Sequence, residues 1–408
     1  MKRYLELLRA EPLLRRLSLI QLIAYFGAWF SNVAIYTLLL RLEVSPWVVS
    51  LVAALHFLPG VLQAPLSGTL IDRIPPRRLM LSLLAVEIAA TLPLTLVGSV
   101  SQLWLLGGLV FVRMGASSFY FTLEMALLPR FLKAEKLKLA NEIHSVIWSI
   151  SFTVGMALSG FAVYATGVKT AFVLDALLFA VALLLLSGAR FPDFRPAHGQ
   201  RFGKMMRESL AYLKTRPVLK HLIFLHALVG FTAFDALVPL MTETYYLPAV
   251  AAPLAIGLLH AFRALGLVAG PLMLGRRIDN RRLPFVLLFQ AAAVFVWAAV
   301  LKNFGLSLAA SVFVGLATTT LWSYTYTLLQ HHTDKAFYGR IIAYNDMVFL
   351  LTVAAVSLAI GTLADAGVDL RIVTALLGSA FVAGAFYFRW ISKRFRLEEI
   401  HGGEGNFS

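Results

Sequence analysis

Arg113, Ser117, Tyr120 and Glu124 stand at i, i+4, i+7 and i+11, the spacing that brings side chains onto one face of a helix. Thr319, Ser323, Tyr326 and Gln330 repeat that spacing in the C-terminal half. Two further rows, Tyr25, Trp29, Asn32 and Tyr36 and then Thr232, Asp235, Thr242 and Tyr246, also read as single helix faces. These residue types can hold a polar or charged solute and can pass a proton. They do not assemble a nucleophile with its base, and the pair His331–His332 has no carboxylate at metal-ligand spacing. Polar side chains are expensive against lipid, so matched rows in apolar sequence point to a water-filled cavity between two halves of the chain. The plainer reading has Ser and Thr bonding the preceding turn and Tyr and Trp sitting at membrane interfaces.

Arg113 and Arg263 fall near the middle of apolar runs, where an unpaired charge costs at least ~2.5–3.5 kcal/mol. Each needs a partner. Glu87, Asp175, Asp235 and Asp346 are the embedded acids available for internal pairing. Alternatively, the two arginines converge on an anionic or polar substrate headgroup, because the planar guanidinium fork suits carboxylate and phosphate. His56 falls opposite Arg263 when the halves are aligned, and is either a titrating group or a hydrogen-bonded packing residue. Glu124 and Asp235 are the stronger candidates for carrying a proton.

The elements that must position these groups follow from composition. At 59% hydrophobic and 14% charged residues, with a mean hydropathy of +0.79, the 408-residue chain has too little polar surface for a water-soluble core. A spanning helix needs ~20 apolar residues, and twelve such runs occur, near 17–40, 46–70, 79–99, 101–124, 137–165, 169–190, 218–247, 252–275, 283–302, 304–328, 338–364 and 370–392. The expected class is an all-α integral membrane protein. Residues 1–190 and 217–392 form two pseudo-symmetric six-helix bundles, 191–216 a cytoplasmic linker with an amphipathic helix, and 393–408 a cytoplasmic tail. Of the 36 Lys and Arg residues, only Arg41, Lys169, Lys302 and Arg371 fall on one side outside the spans. Positive loops stay cytoplasmic, so both termini are expected inside and the basic clusters need no nucleic acid to explain them. The absence of cysteine excludes disulfides, thiolate metal sites and cysteine nucleophiles.

The stretch "SGTLIDRIPPRR" ends the second run, and "LGRRIDNRR" ends the eighth, so Gly68 and Asp72 recur as Gly275 and Asp279 at equivalent inner turns. With Arg73, Arg77 and Arg281 these residues are expected to gate a conformational change. The glycine admits a close helix, and the aspartate makes charge-assisted bonds that one conformation keeps and another breaks. "GTLIDRIPPRR" resembles the signature of the major facilitator superfamily, Gly-x-Leu-x-Asp-Arg-x-Gly-Arg-Arg, with a proline where that family has its glycine. "ALLPRFLKAEKLKLANEIHS" and "AFVLDALLFAVALLLL" are similar to the branch with macrolide efflux pumps, siderophore exporters and lysophospholipid transporters. Two markers differ: Arg113 is followed by Gly115 where the family's glycine comes four residues on, and the fifth-run motif Gly155 to Gly160 lacks its proline.

The resemblance implies alternating access and proton-coupled efflux of a small amphipathic drug or metabolite. A lysophospholipid transporter or flippase is the alternative within the class, and a channel or non-transporting receptor the alternative outside it. No enzyme activity, cofactor or metal is expected. The expected setting is a monomer in the lipid bilayer of a prokaryotic cytoplasmic membrane.

Overall fold

The computed structural model describes residues 2–191, 202–275, 278–334 and 337–397. Among these, every regular element is helical. In chain order they are α1 (Lys2–Ala10), α2 (Pro12–Arg41), α3 (Pro46–Leu55), α4 (Leu58–Arg73), α5 (Pro76–Thr91), α6 (Leu103–Phe131), α7 (Ala134–Thr166) and α8 (Val168–Ser187). After them come α9 (Phe202–Thr215), α10 (Pro217–Ala227), α11 (Leu237–Met241), α12 (Ala252–Leu274), α13 (Leu283–Val300), α14 (Phe304–His331), α15 (Tyr338–Asp365) and α16 (Leu370–Phe395). Twelve stretches of the described residues are long and apolar enough to cross a membrane, in agreement with the twelve expected runs. Trp104 and Leu272 are 76% and 78% exposed. Large apolar side chains so presented along spans of this length and hydropathy suit lipid as the solvent.

Two expected runs are interrupted. The second breaks at His56–Phe57, between α3 and α4, and the seventh becomes a 3₁₀ turn at Leu228–Thr232 before α11 and a π turn at Thr242–Tyr246. Each break is followed by a proline, Pro59 or Pro239. A proline supplies no N–H to the carbonyl four residues back, and its ring collides with that carbonyl. For Pro59 that carbonyl belongs to Leu55, the last residue of α3; for Pro239 it belongs to Asp235.

The chain divides into two compact units, one of residues 1–44 and 58–199 and the other of 45–57 and 200–408. In the first, α2 packs along α7 and α8, α5 lies against α6 and α8, and α4 lies against α6. Its core gathers Leu17, Ile20, Met80, Leu84, Leu123 and Phe179. In the second, α12 lies along α14, α13 along α16 and α14, and α3 along α15. The closest approach is α12 on α14. A methyl group added at Gly266 or Gly270 would run into the carbonyls of Val312 or Leu316, and one at Gly315 into the carbonyl of Arg263. Small residues at that spacing let helix backbones touch in lipid. The amphipathic helix of the central linker is α9; its Tyr212 stacks on Phe337 at 4.1 Å, and Glu208 pairs with Arg340 at 3.2 Å. Linker residues 192–201 and tail residues 398–408 lie outside the described residues.

Candidate functional site

In the first unit, Arg113 projects from α6 into the contact between α5, α2 and α8. Its guanidinium donates to Asp175 Oδ2 on α8 at 2.8 Å, to Thr91 Oγ1 on α5 at 3.1 Å and to the Ala28 carbonyl on α2 at 3.4 Å. Ser31 also donates to Asp175 Oδ2, and the guanidinium lies 5.8 Å from the centre of the Phe179 ring. Glu87 lies within electrostatic reach of the pair and is itself buried. Of the two readings of Arg113, the structure therefore carries the internal pair, with Asp175 as the acid. The same pair fastens four spans to one another.

Further along the same helix face, Tyr120 and Glu124 are buried beside Tyr25 of α2. The Tyr25 and Tyr120 hydroxyls and Glu124 Oε2 make no hydrogen bond among the described residues. The facing helix α7 adds His144, whose ring meets Tyr25 edge-on at 6.2 Å and whose Nε2 is likewise unpartnered, and Asn141, one turn away. Next along α7, Trp148 stacks on Phe152 at 5.4 Å, and Phe152 meets Trp29 at 4.7 Å. Gly155 leaves the room that Trp29 occupies. Asn32 Oδ1 and Trp29 Nε1 are also buried without a partner, and Tyr36 is buried one turn further on. Ser117 is half-buried. Buried polar groups without partners are rare in folded proteins because each forfeits its hydration. A run of them beside an indole-lined wall is a surface equipped for a polar, partly aromatic or apolar solute. His144, Trp148 and Phe152 recur every four residues, and that spacing is the signal by which this face could have been read from sequence.

In the second unit, the break in the seventh run decides the surroundings of Arg263 on α12. Its guanidinium donates to the Thr232 carbonyl, freed by the break, at 2.8 Å, and lies 4.9 Å from the centre of the Phe234 ring. Asp235 interacts with it electrostatically, and the Nε makes no hydrogen bond among the described residues. Thr232 and Thr242 bond the preceding turns through Val229 and Val238, and Tyr246 donates to the Leu301 carbonyl at 2.6 Å, so these three serve the backbone. On α14, Tyr326 stacks on Trp322 at 4.9 Å, and both rings flank His226 together with Phe349. His226 also engages Thr325 at 2.9 Å. Thr319 and Gln330 are half-buried and Ser323 is exposed. His56 ends α3, with Nδ1 on the Val52 carbonyl at 2.8 Å.

The two copies of the repeated loop motif fall at the ends of α4 and α12. Gly68 and Asp72 fall on α4, and the Asp72 side chain lies outside the described residues; Arg73 is exposed. Arg77 donates to the Ser187 carbonyl at the end of α8. In the second copy, Gly275 follows the last turn of α12, and Asp279 accepts from the Arg282 backbone N–H at 2.8 Å while its carboxylate lies 3.7 Å from Arg282 Nε. Arg281 is exposed, and Tyr324 donates to the neighbouring Asn280 at 2.8 Å.

The described residues thus combine twelve apolar spans with embedded charges and buried polar groups that lack partners. The chain belongs to the Major Facilitator Superfamily, whose model matches residues 17–357. Among solved structures, the nucleoside transporter NupG aligns over 94% of this chain and 100% of its own, with a TM-score of 0.71 at 12% identity. An inward-facing bacterial homologue of the human lysosomal transporter Spinster aligns over 93% and 96%, with a TM-score of 0.73 at 13% identity. At such identities these likenesses establish the fold. By sequence, macrolide efflux protein A of Streptococcus pyogenes is 25% identical over 238 residues, 57% of this chain and 58% of that protein. Its counterpart in Enterococcus faecalis is 24% identical over 312 residues, 73% of this chain and 95% of that protein. The chain thus matches little more than half the length of the Streptococcus relative.

Proposed function

We propose that this transporter exports an amphipathic compound by alternating access, coupled to proton entry, with both termini in the cytoplasm and two six-helix halves at 1–190 and 217–392. The observation that carries the reading is the set of unpartnered polar groups on Tyr25, Tyr120, Glu124 and His144, flanked by Trp29, Trp148 and Phe152. A solute with one basic or hydroxylated end and a large apolar body would satisfy both parts at once: the carboxyl and hydroxyls would take its polar end, and the indoles its apolar surface. Glu124 is the group we assign to exchange between substrate and proton, since one carboxyl cannot hold both. Likeness to the macrolide efflux proteins supports the choice of substrate class. Within the second unit, Asp235 is proposed as a further proton-coupling group and Tyr326, stacked on Trp322, as a further substrate contact.

The test is uptake of a labelled macrolide into inside-out vesicles under an imposed pH gradient. The expected result is accumulation that collapses with a protonophore. Uptake unaffected by the gradient would remove proton coupling, and movement of lysophospholipid in place of the macrolide would replace the substrate class.

A further inference from the structure

We infer that the groove where α2 begins and α8 ends is a site for the headgroup of an anionic phospholipid. It encloses about 630 Å³ within the first unit, and its wall includes Arg15, Arg16, Arg190, Leu13, Leu19 and Leu185, with no acidic residue. Arg16 spends one guanidinium nitrogen on the Gly188 carbonyl, which ties the start of α2 to the end of α8. Among the described residues the nearest acid along the chain, Glu11, is already paired with Lys136 at 2.7 Å. Three arginines therefore line one recess that has no acidic residue in its wall among the described residues.

A guanidinium presents paired N–H donors that match the oxygens of a phosphate, and basic pockets at the ends of membrane spans recruit anionic headgroups. The leucines give the second half of the argument. Leu19 is exposed, and Leu22, one turn further into the membrane, continues the apolar strip. A soluble phosphate would use the arginines and leave that strip bare, whereas a phospholipid places its phosphate among the arginines and its acyl chains along the leucines. The site lies apart from Glu124 and its neighbours, so it does not depend on the substrate assigned above.

The experiment is native mass spectrometry of the detergent-solubilised full chain with phosphatidylglycerol, phosphatidylcholine or inorganic phosphate, alongside melting temperatures under the same additions. The wild-type protein should retain phosphatidylglycerol in preference to phosphatidylcholine and be stabilised by it, with no comparable effect of inorganic phosphate. In Arg15→Gln/Arg190→Gln, retention of phosphatidylglycerol should weaken roughly thirtyfold, since each interfacial arginine contributes about one decade or slightly less. Arg190→Gln alone, beyond the last turn of α8, should give a smaller loss and serves if the double variant folds poorly. Equal retention in the variants, equal binding of phosphatidylcholine, or equal stabilisation by inorganic phosphate would each overturn the assignment.

Discussion

Asp175 on α8 accepts a hydrogen bond from Arg113 on α6 at 2.8 Å, with side chains 0% and 2% exposed. A charge pair sealed this completely is a fastening whose members cannot be removed singly. Arg113→Gln leaves the Asp175 carboxylate without its counter-charge and should destabilise the protein by about 3–5 kcal/mol. Arg113→Met with Asp175→Leu, which removes both charges together, should cost clearly less. Thermal melting in detergent reads the contrast, and equal losses for the single and double variants would show that the pair is not the unit that matters.

Glu124→Gln keeps the shape of the side chain and removes its charge. Gradient-driven transport should fall by about ten- to a hundredfold, the worth of a charge-assisted contact, while the melting temperature holds or rises. Tyr120→Phe, which deletes one neutral hydroxyl, should weaken substrate binding only about two- to tenfold. Transport and equilibrium binding measured side by side separate the two effects. Unchanged transport in Glu124→Gln would move the proton role to Asp235.

The glycines of α12 provide a graded test. Gly266→Ala and Gly270→Ala drive a methyl group into the α14 backbone and should each cost about 1–3 kcal/mol or more, because main chain cannot give way as a flexible side chain does. Gly275→Ala meets only the Pro271 side chain, at 3.8 Å, and should leave the melting temperature unchanged. Any loss of transport in Gly275→Ala is then a loss in the exchange of conformations.

Asp279→Asn retains an oxygen for the Arg282 backbone N–H and gives up the ion pair. That pair is solvent-exposed on the arginine side, 59% by side chain, so its stability contribution is at most about 1 kcal/mol. We expect near-normal melting and substrate affinity with slowed turnover, followed by counterflow in proteoliposomes. Weakened affinity at an undiminished exchange rate would place Asp279 in recognition instead.

The twelve spans were legible in the sequence because hydropathy is a sum over ~20 residues, and no local irregularity alters it much. The interruptions at His56–Phe57 and around Ala233 were not, since a few polar residues within each run leave its summed hydropathy high. Proline marks them only in part: Pro271 and Pro129 sit inside α12 and α6 without ending either helix. The need of Arg113 for an acid could be argued from desolvation alone. The choice of Asp175 over Glu87 depends on how α8 is rotated against α6, which periodicity does not fix. Glu124, Tyr120 and Tyr25 are legible by spacing within their own helices, whereas the place of His144 beside them depends on how α7 packs against α2, which the four-residue recurrence of His144, Trp148 and Phe152 does not by itself give.

The contact of α12 with α14 has a mechanical meaning. Two helices whose main chains touch at Gly266, Gly270 and Gly315 can neither roll nor slide on one another, since the meshing atoms are amide and carbonyl groups with no rotamers to spare. The pair behaves as one stiff beam. If the Gly275–Asp279 turn at the foot of α12 moves during transport, α14 with its Trp322 and Tyr326 would have to move with it as part of the same body.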